Sequence, residues 1–324
     1  MTEDELVAAI RERLRAVPAA RLAVGIGDDA AVWQPSRSNR SVVTTDALVE
    51  GVHFTRAGMR AEEIGHRALA ANLSDLAAMG ARPVLATIAL GIPAGTDPAW
   101  ILACYDGIAA LAARTQCAIA GGDVTRAPAV VFAITAIGEV RPSNLKLRSG
   151  ASPGDVVAVT GPLGASRAGL CAAVERPELA ADPAFGAALR AYRSPEPRLA
   201  EGRWLAASRH VRAMMDGSDG LSTDLNRLCA ASAAGAEIER VPIAPAAQAV
   251  AAAAGADAAR WALDGGEDFE LIVAIDRRAF DHLARRFGLR FGRPLLRVAH
   301  ITEGAGVRLA NGATIFPCGW DHLR

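Results

Sequence analysis

Aspartates recur beside glycine or threonine after short apolar runs along this 324-residue chain. The runs have the length and composition of β-strands, and the small neighbours leave little bulk around each carboxylate. Carboxylates that converge at one edge of a sheet repel one another unless cations lie between them, and hard oxygen ligands favour Mg²⁺. A single such acid is more often a turn residue or a helix cap, but five segments together predict a magnesium-dependent site that handles phosphate. The segments are Gly27-Asp28-Asp29, Thr44-Thr45-Asp46, Gly121-Gly122-Asp123, Asp216-Gly217-Ser218-Asp219 and Asp264-Gly265-Gly266-Glu267-Asp268.

The chain has one lysine, Lys146, which lies between two leucines. A P-loop requires a lysine between glycine and a hydroxyl residue, and the protein-kinase lysine lies in a Val-Ala-Ile-Lys strand, so both of these nucleotide sites are excluded. If the protein binds a nucleoside triphosphate, metal ions and arginines must neutralise the phosphates. Arg126 and Arg148 are the arginines nearest the acid segments, and each has either this role or an ordinary surface role.

Two further patterns indicate groups that bind metal or phosphate. Asp75 shares one face of a predicted helix with Asn72 at helical spacing, which indicates a metal ligand or a solvated face. Ser218 begins a turn that leads into another helix, and the N–H groups of such a turn suit a phosphate; alternatively, Ser222 or Thr223 only caps that helix. His53 has no second histidine at metal-ligand spacing, so a zinc site is disfavoured.

Composition limits the class of protein. The formal net charge is zero at a pI near 7.0, which gives no support for a nucleic-acid partner or an anionic membrane. The hydrophobic fraction of 51% is sufficient for a large core. The five cysteines are scattered without a CxxC pair and are typical of buried thiols in a reducing compartment. The first residues do not resemble a signal peptide and no uninterrupted apolar run is long enough to span a membrane, so we expect a cytoplasmic protein.

The predicted elements indicate an α/β (α+β) fold with two domains, in which mixed sheets are flanked by helices. The polar connection 141–154 is the best domain boundary and separates domains 1–140 and 150–324. Predicted helices cover about 2–15, 61–79, 98–114, 164–174, 198–207, 223–234 and a pair within 245–263; predicted strands cover about 21–25, 30–34, 41–46, 84–90, 117–121, 129–140, 155–160, 211–216, 236–241, 270–275, 297–302 and 307–316.

Six motifs in order resemble the thiamine-monophosphate kinase family of the aminoimidazole-ribonucleotide-synthetase-like superfamily, over essentially the whole chain. The Gly-Asp-Asp and Asn-Leu-Ser-Asp motifs are shared across the superfamily, whereas the His-Phe ending of the second motif, Gly-Gly-Glu-Asp-Phe-Glu and the terminal Gly-Trp-Asp-His are more specific. The motifs are Gly-Ile-Gly-Asp-Asp-Ala-Ala-Val (25–32), Thr-Thr-Asp-Ala-Leu-Val-Glu-Gly-Val-His-Phe (44–54), Asn-Leu-Ser-Asp-Leu-Ala-Ala-Met-Gly-Ala-Arg-Pro (72–83), Gly-Gly-Asp-Val-Thr-Arg-Ala-Pro (121–128), Ser-Asp-Gly-Leu-Ser-Thr-Asp-Leu (218–225) and Gly-Gly-Glu-Asp-Phe-Glu-Leu (265–271).

The resemblance implies ATP-dependent phosphorylation of thiamine monophosphate to thiamine diphosphate with several Mg²⁺ ions. It also implies a homodimer, in which the domain 1–140 binds metal and nucleotide and dimerises, and the domain 150–324 completes the ATP and substrate site. Among the implied metal ligands, the resemblance gives Asp29, Asp75, Asp123 and Asp219 the catalytic role; Asp28 is left undecided because adjacent strand residues point to opposite sides. The implied metal ligands are Asp29, Thr45, Asp46, Asp75, Asp123, Asp216 and Asp219; the implied ATP contacts are Gly122, Asp123, Arg148 and Ser218; the implied substrate contacts are His53, Glu267 and Trp320.

Three other functions are compatible with these residues. Another activity of the superfamily, such as an ATP-dependent cyclo-ligase or a selenophosphate synthetase, is the nearest; the latter is expected to have a cysteine and a lysine near the N-terminus, and residues 1–20 contain neither. A metal-dependent phosphohydrolase would use the same acids to activate water. A non-catalytic nucleotide-binding module would bind the metal without turnover. A direct assay with ATP, Mg²⁺ and thiamine monophosphate separates them.

Overall fold

The computed structural model describes residues 2–26 and 30–320, apart from the side chains of Glu3 and Asp4. The predicted ligand Asp29 and its neighbour Asp28 therefore lie outside the described residues. The described chain divides into two compact units. The first comprises residues up to Leu76 together with Ala81–Pro142, and the second comprises Ala77–Gly80 and the chain from Ser143 onward.

The described residues of the first unit form a four-stranded sheet and three α-helices. The sheet has the order β3-β6-β4-β5, in which β4 and β5 are parallel and the other pairs are antiparallel, and a two-stranded sheet joins β1 to β2. Helix α1 begins with the expected capping box, because Thr2 and Glu5 each accept the other's backbone N–H. The elements are α1 (Glu3–Arg13), β1 (Leu22–Val24), β2 (Val32–Trp33), β3 (Arg40–Val49), α2 (Ala61–Ala78), β4 (Arg82–Ile92), α3 (Pro98–Thr115), β5 (Ala118–Arg126) and β6 (Val131–Val140).

The second unit is built on a seven-stranded sheet of order β13-β12-β9-β11-β7-β10-β8, in which only β9 and β12 are parallel among the described strands. The elements are β7 (Val156–Val159), α4 (Ala165–Leu170), α5 (Gly186–Arg193), α6 (Leu199–Ala206), β8 (Val211–Asp216), α7 (Leu221–Ala231), β9 (Gly235–Ile238), α8 (Pro245–Ala254), α9 (Ala258–Asp264), β10 (Leu271–Ile275), α10 (Arg277–Phe291), β11 (Leu296–Thr302), β12 (Gly306–Leu309) and β13 (Thr314–Ile315).

Both faces of this larger sheet are buried, so its strands β7 and β10 are apolar throughout. Along β7, Val157 and Val159 pack on one core cluster with helix α7, and Val156 and Ala158 pack on another with helices α6 and α10. This alternation follows from the two-residue period of a strand. The second unit therefore has helices on both sides of its sheet, and both units contain mixed sheets, as predicted.

Several predicted elements differ from the structure. The predicted strand 307–316 is two short strands, β12 and β13, because the chain turns between them at Gly312, where φ is 86°. Helix α7 begins at Leu221, with Gly220 at the N-cap, so the prediction that Ser222 or Thr223 caps it is wrong. Helix α10 was not predicted at all, although Asp276 caps it and Gly292 ends it.

Within the described part of the chain, no helix combines the length and the apolar composition that a bilayer crossing requires.

Candidate functional site

In the first unit, the polar face of α2 contacts strand β3. The Thr44 hydroxyl donates to Asp75 Oδ2 at 2.5 Å, and the Asp46 backbone N–H donates to Asn72 Oδ1 at 3.1 Å. The Asn72 amide also donates to the Ala68 carbonyl at 3.1 Å, which fixes its orientation. Asp75 is therefore half-buried and held against β3. The hydroxyl bonded to Asp75 belongs to Thr44, which the sequence analysis did not select; the selected Thr45 lies 2.8 Å from the Thr135 hydroxyl instead.

The sequence predicted that Asp46 and Asp123 lie where strands end, and this is wrong: both exposed acids lie inside strands, Asp46 in β3 and Asp123 in β5. Asp46 pairs with Ile134 of β6, Ile134 with Ile88 of β4, and Ile88 with Gly122 of β5, so one row crosses the whole sheet. Neighbouring strands are about 4.8 Å apart, which places Asp46 and Asp123 about 14 Å apart along the sheet. Within one sheet these two carboxylates cannot bind the same ion.

Gly122 is required by close backbone packing between β5 and β4. A Cβ at this position would lie 1.9 Å from the Ile88 carbonyl oxygen, whereas a Cβ at Gly121 would have no atom within 4 Å. Of these two glycines, therefore, Gly122 is the one that close packing requires. It leaves the backbone next to the exposed Asp123 without a side chain, which is the arrangement that a phosphate needs to approach backbone groups.

His53 lies in the turn after β3. The backbone N–H groups of His53 and Val52 bond the Val49 carbonyl, and the Val49 N–H donates to His53 Nδ1 at 3.1 Å. A ring nitrogen that accepts a hydrogen bond carries no proton, so the neutral ring is assigned its proton on Nε2. The half-buried ring presents a donor from a fixed position.

In the second unit, Asp216 is the last residue of β8 and is only 3% exposed. The turn 216–219 after it is bonded to the loop 265–270. Gly217 N–H donates to the Glu270 carbonyl at 2.7 Å, Phe269 N–H donates to the Gly217 carbonyl at 3.1 Å, and Glu267 N–H donates to the Ser218 carbonyl at 2.7 Å. The predicted ATP contact Ser218 and the predicted substrate contact Glu267 are thus joined directly.

The loop 265–270 has an unusual backbone. Glu267 and Phe269 have φ values of 56° and 50°, in the left-handed region that residues with a side chain rarely adopt. Between them, Asp268 accepts the Gly164 N–H at 2.5 Å and the Ser166 N–H at 3.0 Å. Burial of this carboxyl raises the pKa of Asp268 to about 7, although those N–H donors favour the charged form. Strained backbone held by surrounding bonds is typical of functional sites.

The chain near the C-terminus returns to the turn 216–219. Trp320 N–H donates to the Asp219 carbonyl at 3.2 Å, and Gly319 N–H donates to Thr223 Oγ1 at 3.0 Å. A Cβ on Gly319 would lie 1.7 Å from the Asp219 carbonyl oxygen, so this approach requires glycine. The Trp320 side chain is 53% exposed. The hydroxyls of Ser222 and Thr223 therefore hold this tail, since Ser222 Oγ also accepts the Cys318 N–H at 3.5 Å.

The Asp219 carboxylate is bonded to Arg227, whose guanidinium also donates to Asp224 Oδ1 at 3.0 Å. Asp224 is fully buried, and its other oxygen accepts the Asp219 N–H at 3.0 Å. Burial raises the pKa of Asp224 to about 6. Sequence reasoning missed both Asp224 and Arg227, although Asp224 follows Asp219 within the Ser-Asp-Gly-Leu-Ser-Thr-Asp motif.

Arg148 lies beside β8 in the second unit. The Leu147 carbonyl accepts the N–H of Met214, two residues before Asp216, and the Arg148 carbonyl accepts the Ser232 hydroxyl at 3.0 Å. The Arg148 side chain is exposed. Its backbone is therefore fixed, and its guanidinium extends into solvent.

The donors fit Mg²⁺ by their chemistry, because carboxylate and hydroxyl oxygens are the ligands this ion takes. No group of three or more His, Cys, Asp or Glu side chains in the described residues is placed to hold a metal ion. Of the predicted ligands, Asp46, Asp75 and Asp123 lie in the first unit and Asp216 and Asp219 in the second, while Asp29 is not described. Each unit thus contains some of the predicted oxygen ligands.

The chain matches two family models along most of its length. Residues 27–140 match the AIR synthase related protein, N-terminal domain, and residues 152–305 match the AIR synthase related protein, C-terminal domain. A thiamine-monophosphate kinase from Synechococcus elongatus is 40% identical over 257 residues, which cover 77% of this chain and 76% of the relative.

Two solved structures resemble this chain over nearly its whole length. The thiamine-monophosphate kinase from Stenotrophomonas maltophilia K279a is 35% identical, with a TM-score of 0.85 and coverage of 94% of this chain and 97% of that one. AaThiL complexed with AMPPCP and TMP is 28% identical, with a TM-score of 0.79 and coverage of 99% of this chain and 96% of that one.

Proposed function

The chain belongs to the thiamine-monophosphate kinase family, and we propose that it transfers the γ-phosphoryl group of ATP to thiamine monophosphate. In this reaction a phosphate oxygen of thiamine monophosphate attacks the γ-phosphorus, the bond to the bridging oxygen of ATP breaks, and thiamine diphosphate and ADP form. AaThiL complexed with AMPPCP and TMP has the same fold, which supports these two substrates for the present chain.

One observation supports the proposal most strongly. Glu267 and Trp320 donate their backbone N–H groups to Ser218 and Asp219, which are consecutive residues of the turn 216–219. The residues expected to read thiamine monophosphate thus lie next to those expected to hold ATP and metal. A carboxylate and an exposed aromatic ring both attract the cationic thiazolium of the substrate.

We assign the neutralisation of phosphate charge to Mg²⁺ and arginine. Asp29, Asp46, Asp75, Asp123, Asp216 and Asp219 would hold the ions, with the hydroxyls of Thr45 and Thr44 assisting. When bound, the ions would neutralise the charge that develops on the transferred phosphoryl group. Arg148 would contact ATP, and the bare backbone at Gly122 would allow its phosphates to approach.

We expect direct transfer, without a phosphorylated enzyme. The acceptor is itself a phosphate, whose second pKa near 6 leaves it ionised at neutral pH, so no strong general base is needed. The sequence has no lysine, no histidine pair and no elbow serine at these segments that would serve as an intermediary nucleophile. The residues then only position and desolvate the two substrates for in-line attack.

We further propose a homodimer formed through the domain 1–140. Strands β3 and β5 are the two edges of the first unit's sheet, and Val43 on β3 is 61% exposed. Unpaired edges and exposed apolar side chains favour cover by another chain. Asp46 and Asp123 lie on opposite edge strands of one sheet. Pairing of two copies would bring carboxylates of different copies closer together than they are within one sheet.

A steady-state assay tests the proposed function. The protein is incubated with ATP and thiamine monophosphate at increasing Mg²⁺, and ADP and thiamine diphosphate are quantified together. We expect equal amounts of both products, no reaction with EDTA, and no ADP when thiamine monophosphate is omitted. Phosphate release from ATP without thiamine diphosphate would instead identify a phosphohydrolase, and binding without turnover would identify a nucleotide-binding module.

A further inference from the structure

Glu270 is a buried carboxylate, only 4% exposed, that no role in the proposed reaction uses. Arg198 donates two hydrogen bonds to it, from Nε to Oε2 at 3.1 Å and from Nη2 to Oε1 at 2.8 Å. Arg293 donates to Oε1 at 2.5 Å, and the Thr160 hydroxyl donates to Oε2 at 2.6 Å. Both carboxylate oxygens are thus saturated by fixed donors. We call these four residues the Glu270 clamp.

The clamp is balanced in charge and tied to the sheet. Glu201 lies 4.0 Å from Arg198 and 3.7 Å from Arg293, so two acids face two arginines. The Thr160 hydroxyl, in turn, accepts the Leu271 N–H at 2.8 Å. Charge-assisted bonds of this kind are short and strong, and removal of the Glu270 charge leaves Arg198 and Arg293 with Glu201 as their acidic neighbour.

The backbone of Glu270 connects the clamp to the candidate site. Its carbonyl accepts the Gly217 N–H at 2.7 Å, and Leu271, the next residue, pairs with Asp216 across β10 and β8. The carbonyl of Gly217 accepts the Phe269 N–H, which closes the connection. Any shift of Glu270 therefore moves the end of β8 and the turn 216–219 with it.

We propose that Glu270 is a positioning residue that sets the turn 216–219 relative to Glu267, and so aligns the two substrates. The other clamp residues fix the Glu270 side chain, and the backbone carbonyl of Glu270 accepts the Gly217 N–H. This inference rests on the proposed function, because it concerns the residues to which that function assigns ATP, metal and thiamine monophosphate. A misplacement of about 1 Å in such a site lowers the rate by about 10²-fold.

The alternative is that the clamp stabilises the second unit without affecting the site. Asp155 provides a matched control, because its side chain is 4% exposed in the same unit and pairs with Arg212 at 3.3 Å. It also accepts the Ser152 N–H at 2.8 Å. None of these contacts involves the turn 216–219 or the loop 265–270. Asp155→Asn therefore removes a buried charge without disturbing the candidate site.

The experiment compares Glu270→Gln, the milder Thr160→Val and Asp155→Asn with the natural protein. Amide hydrogen exchange is measured at residues 216–219 and 265–270 without substrate, and kcat and both KM values are measured well below each melting temperature. Binding of AMPPCP and of thiamine monophosphate is measured by calorimetry.

We expect Glu270→Gln to speed exchange of the Gly217 and Phe269 amides by about tenfold or more and to lower kcat by about 10²-fold. Thr160→Val should shift both quantities in the same direction by less, whereas Asp155→Asn should lower only the melting temperature. If Glu270→Gln and Thr160→Val match Asp155→Asn in exchange, binding and kcat, the positioning role is wrong. If the natural protein forms no thiamine diphosphate, the proposed function fails, and the exchange data alone still decide whether Glu270 sets the turn.

Discussion

In the first unit, the predicted ligands Asp46 and Asp123 are exposed on strands of a regular sheet, and strand pairing sets their positions. In the second unit, Asp216 is buried, and the turn after it is bonded to the loop 265–270 and to the chain at Trp320. The first arrangement presents carboxylates to solvent. In the second arrangement, many long-range hydrogen bonds fix one short turn, which is expected where two substrates must be held at a defined separation.

This difference predicts distinct effects for substitutions in the two units. A conservative substitution of an acid in the first unit should remove charge and leave the fold intact. A substitution around the turn of the second unit should change substrate affinity or stability as well. The four tests below follow in order of expected effect.

Asp75→Asn should give the largest loss, with kcat reduced by about 10³-fold or more, because it removes a charge that the metal ions need. The amide keeps the shape of the side chain and still accepts the hydrogen bond from Thr44. The melting temperature should change little. Kinetics at saturating Mg²⁺ and thermal unfolding check this. Turnover equal to that of the natural protein would show that Asp75 is not a ligand.

Gly122→Ala should destabilise the first unit, because its Cβ would meet the Ile88 carbonyl oxygen. Overpacking of this kind costs about 1–3 kcal/mol, and each kcal/mol lowers the melting temperature by about 2–4 °C. The affinity for AMPPCP should fall as well. Gly121→Ala is the matched control, since the added methyl group has no neighbour. Equal behaviour of the two variants would exclude a special role for Gly122.

Trp320→Ala should raise the KM for thiamine monophosphate by about tenfold, or about 1.4 kcal/mol of lost contact with the thiazolium. The KM for ATP should stay within twofold of its natural value, because other residues hold the nucleotide. Phe316→Ala, at an exposed aromatic residue four positions earlier, is the control and should leave both values unchanged. Equal increases in both KM values, or a lower melting temperature alone, would assign Trp320 to packing.

Asp268 should make stability depend on pH. Its folded pKa of about 7 lies above the value of 3.8 for an ordinary aspartate, so the folded state binds more protons than the unfolded state between about pH 4 and pH 7. The stability that this group contributes is complete below pH 4 and is lost as the pH rises through 7. The melting temperature of the natural protein minus that of Asp268→Asn should therefore be larger at pH 5 than at pH 8, by about 5 °C or more. An unchanged or reversed difference would contradict the raised pKa.

Local sequence signals predicted much of the fold. Thr2 with Glu5 and Asp97 with Pro98 placed the starts of two helices, because caps act over two or three residues. The mixed sheets and most strand positions also followed from apolar runs. The full length of β3 and β5 was not predicted, because their acids and glycines resemble turn residues. Pairing with the neighbouring strands keeps both segments extended.

The bonds that organise the candidate site could not be predicted in the same way. Thr223 and Gly319 are 96 residues apart, and Thr160 and Glu270 are 110 apart. Such pairs have no spacing pattern, because folding alone brings them together. Family resemblance selected Glu267 and Trp320, but only the structure shows that they bond consecutive residues of one turn.

A single-turnover measurement tests the central claim most directly. The protein, in excess over ATP labelled with ³²P in the γ-phosphate, is mixed with thiamine monophosphate and Mg²⁺ and quenched in acid at successive times. We predict that the label leaves ATP and enters thiamine diphosphate at one rate, with none retained on the protein. Label in inorganic phosphate, or on protein that thiamine monophosphate then discharges, would contradict direct transfer between the two substrates.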